Sequence, residues 1–159
     1  MRHRLRNVIA LGAALVCLEG AAAVAQDKPA DNMEVMREKL RADKKAVVAE
    51  VLQLTEGEAK AFWPVYNAYQ SDMVTHYDRL LKLIDTYANQ YETMTDAQAT
   101  TLLQQYLSLE RDHVALLTSY LPRFQKVLPP KKVAKLYQVE NKARALVNYE
   151  LARGIPIVK

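Results

Sequence analysis

Leu54 to Tyr69 reads LTEGEAKAFWPVYNAY, and its first five residues mark where a helix begins. The hydroxyl of Thr55 can accept the amide hydrogen of residue 58, and the Glu58 side chain can reach back to the amide of Thr55. This reciprocal arrangement is a capping box. Beyond it, Ala59, Phe62, Tyr66, Tyr69, Met73, His76, Leu80, Leu83 and Tyr87 recur at steps of three and four. That spacing puts them on one face of a helix, in the heptad pattern of a seam between paired helices. Thr95-Asp96-Ala97-Gln98 repeats the capping device. After it, Ala99, Leu102, Tyr106, Leu109, His113, Leu116 and Tyr120 step in the same way. The connector Thr93-Met94-Thr95 is too short for anything but an antiparallel hairpin.

Working outward, a first helix is expected from Asn32 to Gln53, with Met33, Met36, Leu40, Val47, Val51 and Leu54 on one stripe. The second runs from Glu56 to Glu92. The third opens at the second capping box and reaches Leu121, or continues past Pro122 to Val127. Leu128-Pro129-Pro130 breaks the chain. Pro130 suits the first turn of a fourth helix that ends at Arg153, with Gly154 as its cap and Pro156 beyond. The fold class is therefore all-α with four helices. At 1.5 Å per residue the second helix is ~55 Å long. Pro64 inside it removes a backbone donor and collides with the carbonyl of Lys60, which predicts a kink. Long bent helices with short connectors suggest a curved layer that exposes apolar surface and dimerises.

The first 25 residues carry a different signal. Arg2, His3, Arg4 and Arg6 form a basic start, Val8 to Leu18 an apolar run, and Ala23-Val24-Ala25 a small-x-small site. That order is a secretory signal peptide with cleavage before Gln26. The apolar run falls short of the ~20 residues a spanning helix needs. Two other readings stay open, lipidation at Cys17 and an uncleaved anchor. Gln26 to Asp31 is a polar lead, expected to be disordered, and residues 32–159 form a single helical domain. The whole chain has 22 basic and 18 acidic residues and a net charge of +4. Removing the signal peptide takes three basic residues and one acidic, leaving about +2. Such a balance lacks the basic stripe that nucleic-acid binding requires. Cys17 is the one cysteine, so the mature chain has neither a disulfide nor a thiolate site. No nucleophile and base stand together anywhere, so no enzyme activity is expected.

Two sets of residues are candidates for binding. His76 and His113 lie about equally far on either side of the expected turn, so an antiparallel hairpin places them at one height. Asp72 lies one turn before His76, and Asp112 adjoins His113. Two imidazoles with nearby carboxylates can hold zinc, nickel or copper. Two histidines packed in a core explain the pattern as well. The second set is aromatic. The nine tyrosines bury like phenylalanine, but their hydroxyls want a partner, which fits a half-wet helical core. They also fit an adaptable face for other polypeptides. Phe62, Trp63, Tyr66 and Tyr69 are the candidate apolar contacts, and Lys44, Lys45, Lys131, Lys132 and Lys135 the candidate steering charges, with Lys131 and Lys132 foremost. Glu140 and Arg144, four residues apart, have the favoured order for a helical ion pair.

Leu54-Thr55-x-x-Glu58 and Met94-Thr95-x-x-Gln98 resemble the paired LTxxQ motifs of the Spy/CpxP-like envelope proteins, with Glu for Gln in the first and Met for Leu in the second. LTEGEAKAFWPVYNAY and Val127 to Tyr137, VLPPKKVAKLY, look more like the branch described as sensor of extracytoplasmic sigma factor. The resemblance covers roughly Val47 to Val158. It implies a periplasmic helical-hairpin protein, often a curved dimer, whose relatives chaperone unfolded proteins, tune envelope-stress signalling or bind metals. The expected partners are unfolded or envelope proteins, a membrane sensor or anti-sigma protein, and a second copy of the chain. The alternatives are a divalent-metal sensor or sequestering protein, and a structural envelope module.

Overall fold

The computed structural model describes residues 42–158. The expected signal peptide, Cys17, the polar lead and the opening of the first helix lie outside the described residues. Four helices and no strand occur among the described residues. The described part of α1 is 42–52. It is followed by α2, Glu56–Gln90, α3, Asp96–Gln125, and α4, Pro130–Gly154.

Both capping boxes form. Thr55 is extended, its Oγ1 accepts the amide of Glu58 at 3.3 Å, and its own amide donates to Glu58 Oε2 at 2.8 Å. Thr95 repeats this with Gln98, at 3.3 and 2.9 Å. Each box satisfies two of the amides that a helix start leaves without partners. Glu56, Glu58 and Asp96 also place negative charge in the first turns, where the helix dipole favours it. The turn between α1 and α2 has a less expected device. Gln53 sits at φ 46° and its amide donates to Ala49 O at 3.0 Å. This is a left-handed helix end, a role usually given to glycine.

Both prolines lie inside continuous helices, Pro64 in α2 and Pro122 in α3. The third helix thus passes Leu121 and ends at Gln125, between the two expected limits. The extra turn brings Phe124 into the core at 1% exposure.

The helices pack as two units. The second unit comprises Leu54–Ala134 and the terminal residues from Ile155. In it α2 and α3 run antiparallel, because Asp72 meets Tyr120, His76 meets His113, and Arg79 meets Asp112. The expected seam holds through Phe62, Tyr66, Tyr69, Met73 and His76, all buried. Farther along α2, burial moves to Ile84, one residue past Leu83, and then to Tyr91. A straight helix of 3.6 residues per turn drifts off a strict seven-residue repeat in this way. On α3, Leu109, His113 and Tyr120 are buried as expected, but Tyr106 is 45% exposed.

The first unit joins residues 42–53 with Lys135–Gly154. Val48, Leu52, Leu136 and Leu151 form its core. Val47 is exposed, so the buried edge of α1 falls one residue later than the expected stripe. Val47 and Val48 are adjacent and both apolar. Leu52, one helical turn after Val48, determines which of them faces inward. Glu140, only 9% exposed, takes Lys44 Nζ at 2.7 Å, a longer-range partner than the Arg144 spacing suggests. No described helix is long and apolar enough to cross a membrane.

Candidate functional site

The aromatic candidates sit where the two ends of the α2–α3 pair meet. Phe62 stacks against Tyr66 at 5.3 Å and lies 5.9 Å from Phe124. Tyr69 meets Tyr120 edge-on at 5.3 Å and Phe124 at 5.7 Å. Exposure of Phe62, Tyr66 and Tyr69 is 2% or less. These three rings are core and present no surface in this structure. The physical reason is the register. All three are on the seam that α3 covers, and burying each ring stabilises the pair by ~1.5–3 kcal/mol. Trp63, one position off the seam, is half-buried and packs edge-on to Phe62 at 4.9 Å.

The two foremost candidate lysines also separate. Lys131 is exposed at the start of α4. Lys132 donates to Glu58 Oε2 at 2.6 Å, with both side chains partly buried. Glu58 therefore caps α2 and ties it to the start of α4 with the same carboxylate. Lys132 first, and then the Thr55 amide, hold its carboxyl below the ordinary carboxylate range.

The histidine pair does form. The rings of His76 and His113 are 5.3 Å apart between centroids and tilted by 42°. They are 7% and 3% exposed. Tyr77 packs edge-on to His76 at 5.5 Å. Nδ1 of His113 is buried and makes no hydrogen bond among the described residues. The acidic candidates are turned to other work. Asp72 Oδ2 accepts the Tyr120 hydroxyl at 2.6 Å. Burial first, and then this carboxylate, raise the phenol above its ordinary pKa. Asp112 Oδ2 takes Arg79 at 2.8 Å. Among the described residues no three His, Cys, Asp or Glu side chains converge as metal ligands.

Sequence reasoning expected exposed apolar surface but did not locate it. Leu103, Leu107, Val114 and Leu121 on α3 are 58, 46, 60 and 36% exposed. With Glu110 and Leu117 they step by four, three, four, three and four, a second seam ~100° around the helix from the buried one. Tyr106 adds 45% exposure at its edge. The signal was present, because α3 reads as apolar on two adjacent faces, and one partner helix covers only one of them. A shallow groove near the turn, lined by Thr86, Gln90, Ala97, Gln98, Thr101, Leu102 and Gln105, has no charged side chain in its lining. No family model, curated protein or solved structure matches this chain.

Proposed function

We propose that this chain is an exported, periplasmic envelope-stress protein that binds other polypeptides, as an ATP-independent chaperone or as a signalling adaptor for a membrane sensor or anti-sigma protein. The observation that carries this reading is the exposed seam on α3, Leu103, Leu107, Val114 and Leu121. An exposed apolar stripe of this kind, interrupted by Glu110, is what an interaction surface presents to solvent. Its occupant is an apolar segment of an unfolded or envelope protein, laid along the stripe as a helix or strand. The paired capping boxes support kinship with the Spy/CpxP-like LTxxQ proteins, and with it the kinked hairpin, the curved layer and the homodimer.

The test uses an unrelated unfolded client followed by light scattering, without ATP. Wild-type protein at equimolar ratio suppresses aggregation. Leu107→Asp and Val114→Asp abolish suppression while leaving the helical circular dichroism and the melting curve intact, since both side chains face solvent. Scattering indifferent to the protein at every ratio overturns the chaperone reading. If the aspartate variants change the sedimenting mass and not client capture, the seam belongs to a second copy of the chain. N-terminal sequencing of envelope-fraction protein tests the export reading, with Gln26 as the expected first residue.

A second reading, a divalent-metal sensor or sequestering protein, is favoured by the His76–His113 contact. For a zinc, nickel or copper(II) ion to gain Asp72 or Asp112 as a ligand, those carboxylates must leave Tyr120 or Arg79. A melting point raised by zinc or nickel, and lost in the His76→Ala, His113→Ala double variant, identifies this activity.

A further inference from the structure

We propose that the exposed stripe on α3 pairs with the same stripe of a second copy of this chain, antiparallel about a twofold axis at the level of Asp112, and that Glu110 keeps this pair reversible. The pattern of the stripe carries the argument. It reads Leu103, Leu107, Glu110, Val114, Leu117, Leu121, with steps of four, three, four, three and four. Those steps are the same in either direction, and so are the residue types outside the central two. A twofold interface demands this, because residue i of one copy meets residue j of the other and j meets i. Turning one α3 against another sets Leu103 on the partner's Leu121, Leu107 on the partner's Leu117 and Glu110 on the partner's Val114. Every layer is then filled, and four of the six are leucine on leucine. Steps of three and four are also what lets two helices pack side by side at a shallow angle. A parallel pair would instead set Glu110 on the partner's Glu110, two like charges in one layer.

Glu110 sets the strength of the pair. In a single copy it is half-buried and keeps part of its water. In the pair it faces the methyl groups of the partner's Val114, and the lost water costs free energy unless a cation compensates. Arg111, exposed beside the stripe, is that cation. In the antiparallel register it lies three residues, ~4.5 Å of helix rise, from the partner's Glu110. The contact is at the rim, where water screens it, so it offsets the cost only in part. A polar residue in a helical seam fixes the register at the expense of stability in this way. Size points in the same direction. The stripe is ~27 Å long and one helix, ~10 Å, wide. Its footprint of ~270 Å² on each copy is well below the ~800 Å² per partner of a standard interface. Such a pair dissociates in the micromolar range or weaker. If a client occupies the same stripe, as proposed above, the second copy caps the stripe until a client displaces it. That regulatory step rests on the polypeptide-binding reading, whereas the pairing itself does not.

The experiment uses the full chain with Cys17→Ser, so that engineered thiols are the only ones present. Sedimentation equilibrium from micromolar to millimolar concentration shows a dimer that dissociates on dilution. Glu110→Leu tightens it at least about tenfold. Glu110→Gln, which keeps the size and removes the charge, tightens it by less. Chains carrying Gln104→Cys, mixed with chains carrying Thr118→Cys, form a mixed disulfide, because these exposed positions face each other only in the antiparallel register. An unfolded client in excess lowers the dimer fraction. Three results overturn the proposal. They are a monomer at every concentration, Gln104→Cys chains that link to themselves as readily as to Thr118→Cys chains, and dissociation unchanged by both Glu110 variants. A client captured with no fall in dimer fraction overturns the capping step. Failure of the chaperone reading looks different, with no client captured while the mixed disulfide still forms and upholds the pairing.

Discussion

Replacing Phe62 with alanine separates a core from a binding surface. Phe62 has 0% exposure and lies between Tyr66 and Phe124, with Trp63 edge-on beside it. Truncating a fully buried phenylalanine costs ~3–5 kcal/mol, through lost transfer energy and the cavity left behind. Each aromatic pair adds ~0.5–1.5 kcal/mol beyond its burial. Phe62→Ala is therefore expected near the top of that range, because three ring contacts go at once. The assay is urea unfolding followed by circular dichroism, in which the midpoint falls and the slope stays constant. Phe124→Ala and the double variant complete a cycle, whose coupling should be ~0.5–1.5 kcal/mol for rings 5.9 Å apart. A cost below ~1 kcal/mol with no coupling, accompanied by loss of client capture, would refute the assignment and return Phe62 to the surface.

Thr95→Ala should cost ~1 kcal/mol in the same assay, because the Gln98 amide loses its acceptor at a helix start. Gln53→Gly should stabilise by ~0.5–1 kcal/mol, since relief of a left-handed backbone at φ 46° outweighs the added freedom of glycine in the unfolded chain. Glu58→Gln should flatten the acid limb of the stability profile. The carboxyl of Glu58 is held below its ordinary pKa, so its stabilisation is present above the unfolded value and is lost as pH falls through the folded one. An acid limb as steep in Glu58→Gln as in the wild type would show that the Lys132 contact contributes nothing in solution.

Helix starts were legible because their chemistry is local. Thr55 and Thr95 each find their partner three residues away, and two side chains suffice to define the box. The height of the histidine pair was legible for a related reason, since a short connector and a constant rise set which residues meet. What escaped involves contacts between distant parts of the chain or backbone conformations that side chains do not announce. Gln53 adopts a glycine-like angle with no glycine to signal it. Val47 and Val48 are equivalent on pattern, and packing within the first unit selects Val48. Asp72 was read as a ligand because it is one turn from His76, but Tyr120 reaches it from 48 residues away. Lys132 was read as a steering charge, and its partner Glu58 lies 74 residues back. Tyrosine richness was visible from the start, whereas which rings are covered depends on the stripe α3 turns toward α2.

The placement of the aromatic cluster at the open end of the α2–α3 pair governs the order in which the pair assembles. Contacts close to the connector enclose short loops and form first, while each contact farther out must close a longer one at greater entropic cost. A pair that zips from its turn buries Tyr91, Ile84 and Leu109 before Arg79 meets Asp112. It reaches the Phe62, Tyr69, Tyr120 and Phe124 rings only at the end. The transition state for folding therefore lies late, after the histidine layer has closed, and substitutions in the ring cluster act mainly on the unfolding rate. Opening from the ring end would expose the most apolar surface first, so the pair is latched there.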